Sequence, residues 1–154
     1  MEAIIFIGIQ GAGKSSFYGE RFFNTHIRIN LDMLKTRHRE RILLKACLEA
    51  KQPFVVDNTN ASIEVRAKYI ELAKAAQFRI TGYYFCSSLA DALRRNSLRA
   101  GKERIPEEGI IATYRRLKPP SLTEGFDELY HVNINAANEF VVAQVWRSSE
   151  KRGL

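Results

Sequence analysis

Lys14, Ser15, Asp32, Asp57, Arg95 and Arg99 are the side chains in this chain whose types and surroundings suit the handling of a phosphoryl group. Gly8, Gly13, Lys14 and Ser15 satisfy the pattern G-x-x-x-x-G-K-[ST] within Gly8-Ile9-Gln10-Gly11-Ala12-Gly13-Lys14-Ser15-Ser16. Glycines allow the backbone N–H groups of such a loop to turn inward on phosphate oxygens, and the helix that follows offers its positive end to the same anion. In this chemistry Lys14 reaches the β- and γ-phosphates and the Ser15 hydroxyl ligates Mg²⁺. The expected nucleotide contacts are therefore Gly8, Gln10, Gly11, Ala12, Gly13, Lys14, Ser15 and Ser16.

Asp57 follows the apolar Phe54-Val55-Val56, the setting of an acid that steadies Mg²⁺ directly or through water. Asp57-Asn58-Thr59-Asn60 is equally good turn chemistry, so a purely local role is the alternative. Asp32 lies just past the short strand expected over His26 to Asn30; it could orient an acceptor hydroxyl and take its proton, or only cap a helix starting near Met33. Arg94, Arg95, Arg99, Lys102 and Arg104 crowd one stretch around Gly101. With Arg95 and Arg99 expected on one helix face, this reads as a lid closing on phosphates; a solvated helix face is the bland alternative. Lys35, Arg37, His38, Arg39 and Arg41 make a second basic cluster, suited to a polyanionic acceptor or merely to solvent. His26, His38 and His131 show no ligand-like spacing.

Elements that position these residues are legible from the pattern. Ala3 to Ile7 reads as a buried strand, Ser15 to Phe23 as a helix, and His26 to Asn30 as a second strand. One helix is expected from Leu31 to Gln52, with Leu31, Leu34, Ile42, Leu43, Ala46 and Leu48 as its apolar stripe and Pro53 as its stop. Phe54 to Val56 is a strand, and Ser62 to Gln77 a helix with Ile63, Ala67, Ile70 and Ala73 at helical spacing. Phe78 to Cys86 is a strand; Ser88 opens a helix reaching about Arg99, and Pro106 opens another that ends before Pro119. Leu129 to Ile134 is a last strand, while Phe140 to Trp146 fits a strand or a short helix. Alternating strands and helices predict a parallel sheet covered on both faces, with ligands at the carboxyl ends of its strands.

The chain has 154 residues, enough for one domain with a sizeable core. Lys and Arg number 24 against 17 Asp and Glu, a formal charge of +7 that favours anionic partners such as ATP and a nucleic acid backbone. Cys47 and Cys86 lie in apolar surroundings and are expected to be buried, inert thiols. No apolar run approaches membrane-spanning length and no signal peptide is apparent, so no membrane partner and a cytoplasmic location are expected.

Taken together, Gly-Ile-Gln-Gly-Ala-Gly-Lys-Ser-Ser, Asn30-Leu31-Asp32, Val55-Val56-Asp57-Asn58-Thr59-Asn60, Arg95-Asn96-Ser97-Leu98-Arg99 and Pro120 to Phe126 resemble the kinase domain of the 5′-hydroxyl polynucleotide kinases. The resemblance runs from Ala3 to about Ile134. It implies a three-layer α/β P-loop kinase fold with a central parallel sheet, a single domain over residues 1–154, and a helical lid at about 94–117. It also implies transfer of the ATP γ-phosphate, with Mg²⁺, to the 5′-hydroxyl end of RNA or DNA. Lys14, Asp32, Arg95 and Arg99 match the catalytic positions, Asp32 as general base. Asp32 and Lys35 match the acceptor site, and Ser15 and Asp57 are the expected metal ligands. Two positions depart from the pattern: Leu31 stands where many members carry Arg, and Lys35 where some do. No D-x-D-G-T phosphatase motif is present. The alternatives are a P-loop phosphotransferase acting on a nucleoside, sugar or drug hydroxyl, and a non-catalytic nucleotide-binding switch.

Overall fold

A computed structural model describes residues 1–147, the side chain of Lys102 excepted; the end of the expected domain, 148–154, and the Lys102 ammonium of the basic stretch lie outside the described residues. The strands are β1 (Glu2–Ile7), β2 (Ile27–Ile29), β3 (Phe54–Asp57), β4 (Arg79–Phe85), β5 (Glu128–Ile134) and β6 (Phe140–Val145). They form one sheet in the order β2-β3-β1-β4-β5-β6. From β2 to β5 every neighbouring pair is parallel. The segment from Phe140, open from sequence between strand and short helix, is the strand β6, which runs antiparallel to β5 at the edge of the otherwise parallel sheet, joined through residues 135–139. That short connection permits a hairpin and is too short for the crossover that a parallel strand would require.

The helices are α1 (Lys14–Arg21), α2 (Leu31–Leu34), α3 (Arg37–Ala50), α4 (Ile63–Ala75), α5 (Leu89–Ser97) and α6 (Glu107–Arg116). Strand alternation divides the core into two apolar layers, one on each face of the sheet. Ala3, Ile5, Ile7, Val56 and Ile80 meet Leu44 and Cys47 of α3 and Tyr69, Ile70 and Ala73 of α4. Ile4, Phe6, Val55 and Phe85 meet Phe17 of α1, Ala92 of α5 and Ile110 of α6. The chain then changes faces: Leu117 borders both layers, and Leu122 and Phe126 pack with α3 and α4. Consequently α5 and α6 lie on one face, and the segment following them crosses the carboxyl edge of the sheet to the other.

Side-chain caps begin several helices where the sequence placed polar residues. Ser62 and Ser88 accept from Val65 N and Asp91 N, both at 3.1 Å. The expected helix from Leu31 to Gln52 is two helices instead. Asn30 caps α2, Lys35 ends it at φ 74°, and Thr36 caps α3 by accepting from Arg39 N at 3.1 Å. The reason is a shared anchor. Asn58 Oδ1 accepts from Leu31 N at 2.9 Å while its Nδ2 donates to Glu40 Oε2 at 3.1 Å. Residues nine apart on a continuous helix would be separated by about 13 Å along its axis, beyond the span of one amide. The buried face of α3 is accordingly Glu40, Leu44 and Cys47, whereas Ile42, expected in the stripe, is 58% exposed. In α4 the buried residues are Arg66, Tyr69, Ile70 and Ala73, which leaves Ile63 exposed. Cys47 is buried, but Cys86, just past β4, is only half-buried; burial pushes both thiols up.

Buried polar side chains fasten these layers. Arg66, wholly buried, donates to both carboxylate oxygens of Glu124 at 2.8 and 3.0 Å. It also donates to the carbonyls of Asn60 and Lys118 at 2.9 and 3.0 Å, so one guanidinium joins α4, the loop after β3 and the segment following α6. Among the described residues no helix is long and apolar enough to cross a membrane.

Candidate phosphate-binding site

The phosphate loop leaves β1 at the carboxyl edge of the sheet, between β3 and β4. Gly8 N donates to Thr59 O at 3.1 Å and Asn60 Nδ2 to Phe6 O at 2.7 Å, which ties the end of β1 to the loop after β3. Two of its glycines are required by geometry. Gly13 caps α1 at φ 94°, and at Gly11, φ 80°, a Cβ would lie 2.6 Å from Ala92 O. Ala12 is buried. Gln10 Nε2 donates to Thr113 Oγ1 of α6 at 3.3 Å, while its buried Oε1 has no partner among the described residues.

Lys14 is half-buried, and its ammonium donates to the carbonyls of Gly8 and Ile9 at 2.9 and 2.8 Å. Burial pushes the ammonium down to about 8; Asp57 and, more weakly, Asp32 oppose that shift, while Arg99 adds to it. Asp57, Arg99 and Asp32, scattered over the chain, all act on one amine.

Asp57 closes β3 and is 1% exposed. Its Oδ2 accepts from Ser15 Oγ at 3.1 Å and from Arg28 Nε at 2.8 Å. Arg28 Nη2 also donates to Ser15 Oγ at 2.8 Å. The carboxylate thus faces the start of α1, and among the described residues it makes no turn or cap hydrogen bond within its own loop. Arg28 was not among the expected site residues. A signal was present: an arginine between Ile27 and Ile29 in a strand must place its charge on the face opposite those isoleucines, where α1 lies.

Asp32 stands in the first turn of α2, exposed, and its carboxylate makes no hydrogen bond or ion pair with any described residue. The cap is Asn30, whose Oδ1 accepts from Met33 N at 2.9 Å and whose Nδ2 donates to Asp57 O at 2.6 Å. The capping role open to Asp32 from sequence is therefore filled by its neighbour. Lys35 is exposed in the break between α2 and α3 rather than on a basic helix. That cluster is further divided, since Arg37 pairs with buried Glu40 at 2.9 Å and Arg39 donates to Leu34 O at 3.1 Å. Ser16 is exposed beside Ser15.

On the opposite side of the loop, Arg95 Nη1 donates to Gly11 O at 3.2 Å and Ser87 Oγ at 3.0 Å. The expectation that Arg95 and Arg99 share a helix face is corrected, because α5 ends at Ser97 and Arg99 lies beyond it in a tight turn, its N–H on Asn96 O. Asn96 causes the turn-back. Buried at 1% exposure, it donates to Ile105 O at 2.6 Å and accepts from Ile105 N at 2.8 Å. Gly101, φ 61°, lies inside the loop so closed. A cleft of about 420 Å³ opens between Arg94 and Arg95 of α5 and Asn135, Ala136 and Asn138 of the β5–β6 turn. His26 hydrogen-bonds Glu2 Oε1 through Nε2 at 3.0 Å and packs edge-on against Phe22, and His131 packs edge-on to Tyr84.

Comparison with known proteins places this geometry. The family described as AAA domain matches residues 33–120, from within α2 to just past α6, so the phosphate loop, α1 and β2 precede the matched stretch. The bifunctional polynucleotide phosphatase/kinase of Schizosaccharomyces pombe (strain 972 / ATCC 24843) is 27% identical over 146 residues, covering 90% of this chain. The chain spans 35% of that protein's length. Among solved structures, a gluconokinase from Sinorhizobium meliloti 1021 superposes with a TM-score of 0.62 at 21% identity, over 86% of this chain and 82% of that one. Chaetomium thermophilum Kti12, in complex with ADP-AlF3, gives 0.62 at 16% identity over 88% and 92%. The Mycobacterium tuberculosis APS kinase CysC, in complex with AMPPNP and APS, gives 0.55 at 17% identity over 86% and 87%. These structural likenesses show a shared fold. With more than half of its 154 residues matched, the chain belongs to the AAA domain family and has the P-loop kinase fold.

Proposed function

We propose that this chain is an ATP-dependent phosphotransferase that moves the γ-phosphate to the 5′-hydroxyl end of RNA or DNA, acting as a single kinase domain with a lid at about 94–117. The observation that carries the reading is the position of Asp32. An exposed carboxylate, without a partner among the described residues, is held at the carboxyl edge by Asn30 and Asn58, near enough to Lys14 to act on its charge. A hydroxyl is a weak nucleophile at neutral pH, and a free carboxylate beside the phosphate loop supplies the missing base.

In the reaction, the acceptor oxygen forms a bond to the γ-phosphorus as the bond to the β-phosphate oxygen breaks. Asp32 takes the hydroxyl proton, and ADP departs with the bridging oxygen. Lys14, released from the carbonyls of Gly8 and Ile9, holds the phosphates, and Arg95 and Arg99 take up charge on the transferring group. Lys35 grips an acceptor phosphate. The cleft between α5 and the β5–β6 turn is the place for the nucleoside, opening beside Gly13 across Ile134. Ser15 Oγ and Asp57 Oδ2 are hard oxygen donors on one side of the loop, a donor set that fits Mg²⁺ completed by water and phosphate. When bound, Mg²⁺ supplies neutralisation of charge on the phosphate oxygens.

The 27% identity to a phosphatase/kinase supports a nucleic acid acceptor. The gluconokinase and APS kinase likenesses favour a second reading, a small-molecule hydroxyl as acceptor. A labelled-ATP assay offering 5′-hydroxyl oligonucleotides beside gluconate and other small alcohols separates them. Oligonucleotide labelling that Asp32→Asn abolishes, with oligonucleotide KM little changed, is the expected result; labelling of a small alcohol alone replaces it with the second reading.

A further inference from the structure

Arg28 has no place in the reaction above, yet its guanidinium sits on both oxygens assigned to the metal. The arrangement is closed at the atomic level. The Ser15 hydroxyl proton goes to Asp57 Oδ2 at 3.1 Å, Arg28 Nε donates to that same Oδ2 at 2.8 Å, and Arg28 Nη2 donates to Ser15 Oγ at 2.8 Å. Asp57 is 1% exposed, so its charge is met by the guanidinium rather than by water. The side chain is steadied along its length, with Cζ 6.0 Å from the centre of the Tyr18 ring and Tyr18 itself fixed to His26 O at 2.6 Å.

A magnesium ion ligated by Ser15 would lie about 2.1 Å from its oxygen, and hence within about 5 Å of Arg28 Nη2. Two positive centres that close, sharing one buried carboxylate, repel strongly. On the reading of Ser15 and Asp57 as metal ligands, we propose that Arg28 is a built-in competitor of the divalent cation. Its guanidinium holds the metal's place, and metal entry requires it to swing off Ser15 and Asp57. A competitor closed for nine-tenths or more of the time lowers the apparent metal affinity about tenfold or more. Metal uptake is thereby coupled to arrival of the triphosphate, whose charge favours the cation over the guanidinium.

The test uses Mn²⁺ alone, without nucleotide, followed by the spin-resonance signal of the free ion. Arg28→Gln keeps a hydrogen-bond donor for Asp57 without the charge; Arg28→Met removes both. Binding at least tenfold tighter than wild type in either folded variant is expected, lost again when Asp57→Asn is added. Equal or weaker Mn²⁺ binding in the folded Arg28 variants overturns the proposal. A second measurement needs no stable variant. In ¹⁵N-arginine spectra of the wild-type protein, the hydrogen-bonded Arg28 Nε–H should shift and exchange faster on saturation with Mg²⁺ and a non-hydrolysable ATP analogue. An unchanged resonance overturns the proposal. The metal assignment is checked separately: if Asp57→Asn leaves Mn²⁺ binding to the ATP complex unchanged, that assignment falls, and the competitor with it.

Discussion

The side-chain amide of Asn30 donates to the backbone carbonyl of Asp57 at 2.6 Å, joining the end of β2 to the end of β3. That bond ties the start of α2, which carries Asp32, to the strand end that carries Asp57. Asn58 repeats the link in the opposite direction by accepting from Leu31 N. Two asparagines thus hold the segment of the proposed base against the end of β3, and neither touches phosphate in the proposed reaction.

Lys14→Ala should lower turnover by about 10²-fold or more, the usual loss for one preorganised donor. Wild-type kcat/KM should also fall as pH rises through about 8, where the half-buried ammonium of the free protein loses its proton. Stability moves the other way. Folding depresses this amine from 10.5 to about 8, so the unfolded chain binds more protons between those values and stability rises with pH across that window. Lys14→Met should remove this part of the dependence. Thermal melts of both proteins from pH 7 to 10.5, together with kcat/KM of the wild type, check the prediction.

Arg95 and Arg99 should separate in kinetics. Arg95 holds the carbonyl of Gly11 and Ser87 Oγ, so Arg95→Ala should loosen the loop and raise the ATP KM as well as lowering kcat. Among the described residues the Arg99 guanidinium makes one hydrogen bond, to Glu103 O at 3.5 Å, and Arg99→Ala should lower kcat by about 10²-fold with nucleotide affinity little changed. Steady-state kinetics beside equilibrium binding of a non-hydrolysable ATP analogue tests the pair. Equal KM effects in the two variants would sink the distinction.

Asn96→Ala should open the turn after α5. Two buried hydrogen bonds to Ile105 are lost and the Ile105 backbone is left without its partner, a penalty of about 1–3 kcal/mol. Urea unfolding should show the loss, and trypsin should cut after Arg99 or Arg104 faster than in wild type. Unchanged cleavage would mean that the turn is held by something other than Asn96.

Arg66→Met should destabilise by about 3–5 kcal/mol, because it strands the carboxylate of Glu124 in a site where only 8% of that side chain is exposed. Glu124→Leu alone should do comparable harm by stranding Arg66. The double variant should recover much of the loss, since two apolar side chains satisfy each other where one charge cannot be satisfied. A double-mutant cycle in urea measures the coupling, and additive losses would contradict it.

Much of the molecule follows from interactions spanning a few residues. The strand, glycine loop and helix from Ala3 through Ser15 were legible because backbone freedom, apolar run length and the phosphate pattern are all local. Ser62, Ser88 and Pro106 marked helix starts for the same reason. Tertiary structure decided the rest. Asn58 breaks the helix after β2 by binding Leu31 and Glu40 together, a constraint imposed from another strand. Asn96 pulls Arg99 off α5 by gripping Ile105, which overrides a helical spacing that looked continuous. Arg28 reaches Asp57 only because β2 pairs with β3 in a register that places Arg28 beside Val55, on the face of the sheet that α1 covers. Periodicity reports which side chains share a face of their own element. Which charge meets which depends on strand order and register, and those are chosen by packing of the whole sheet.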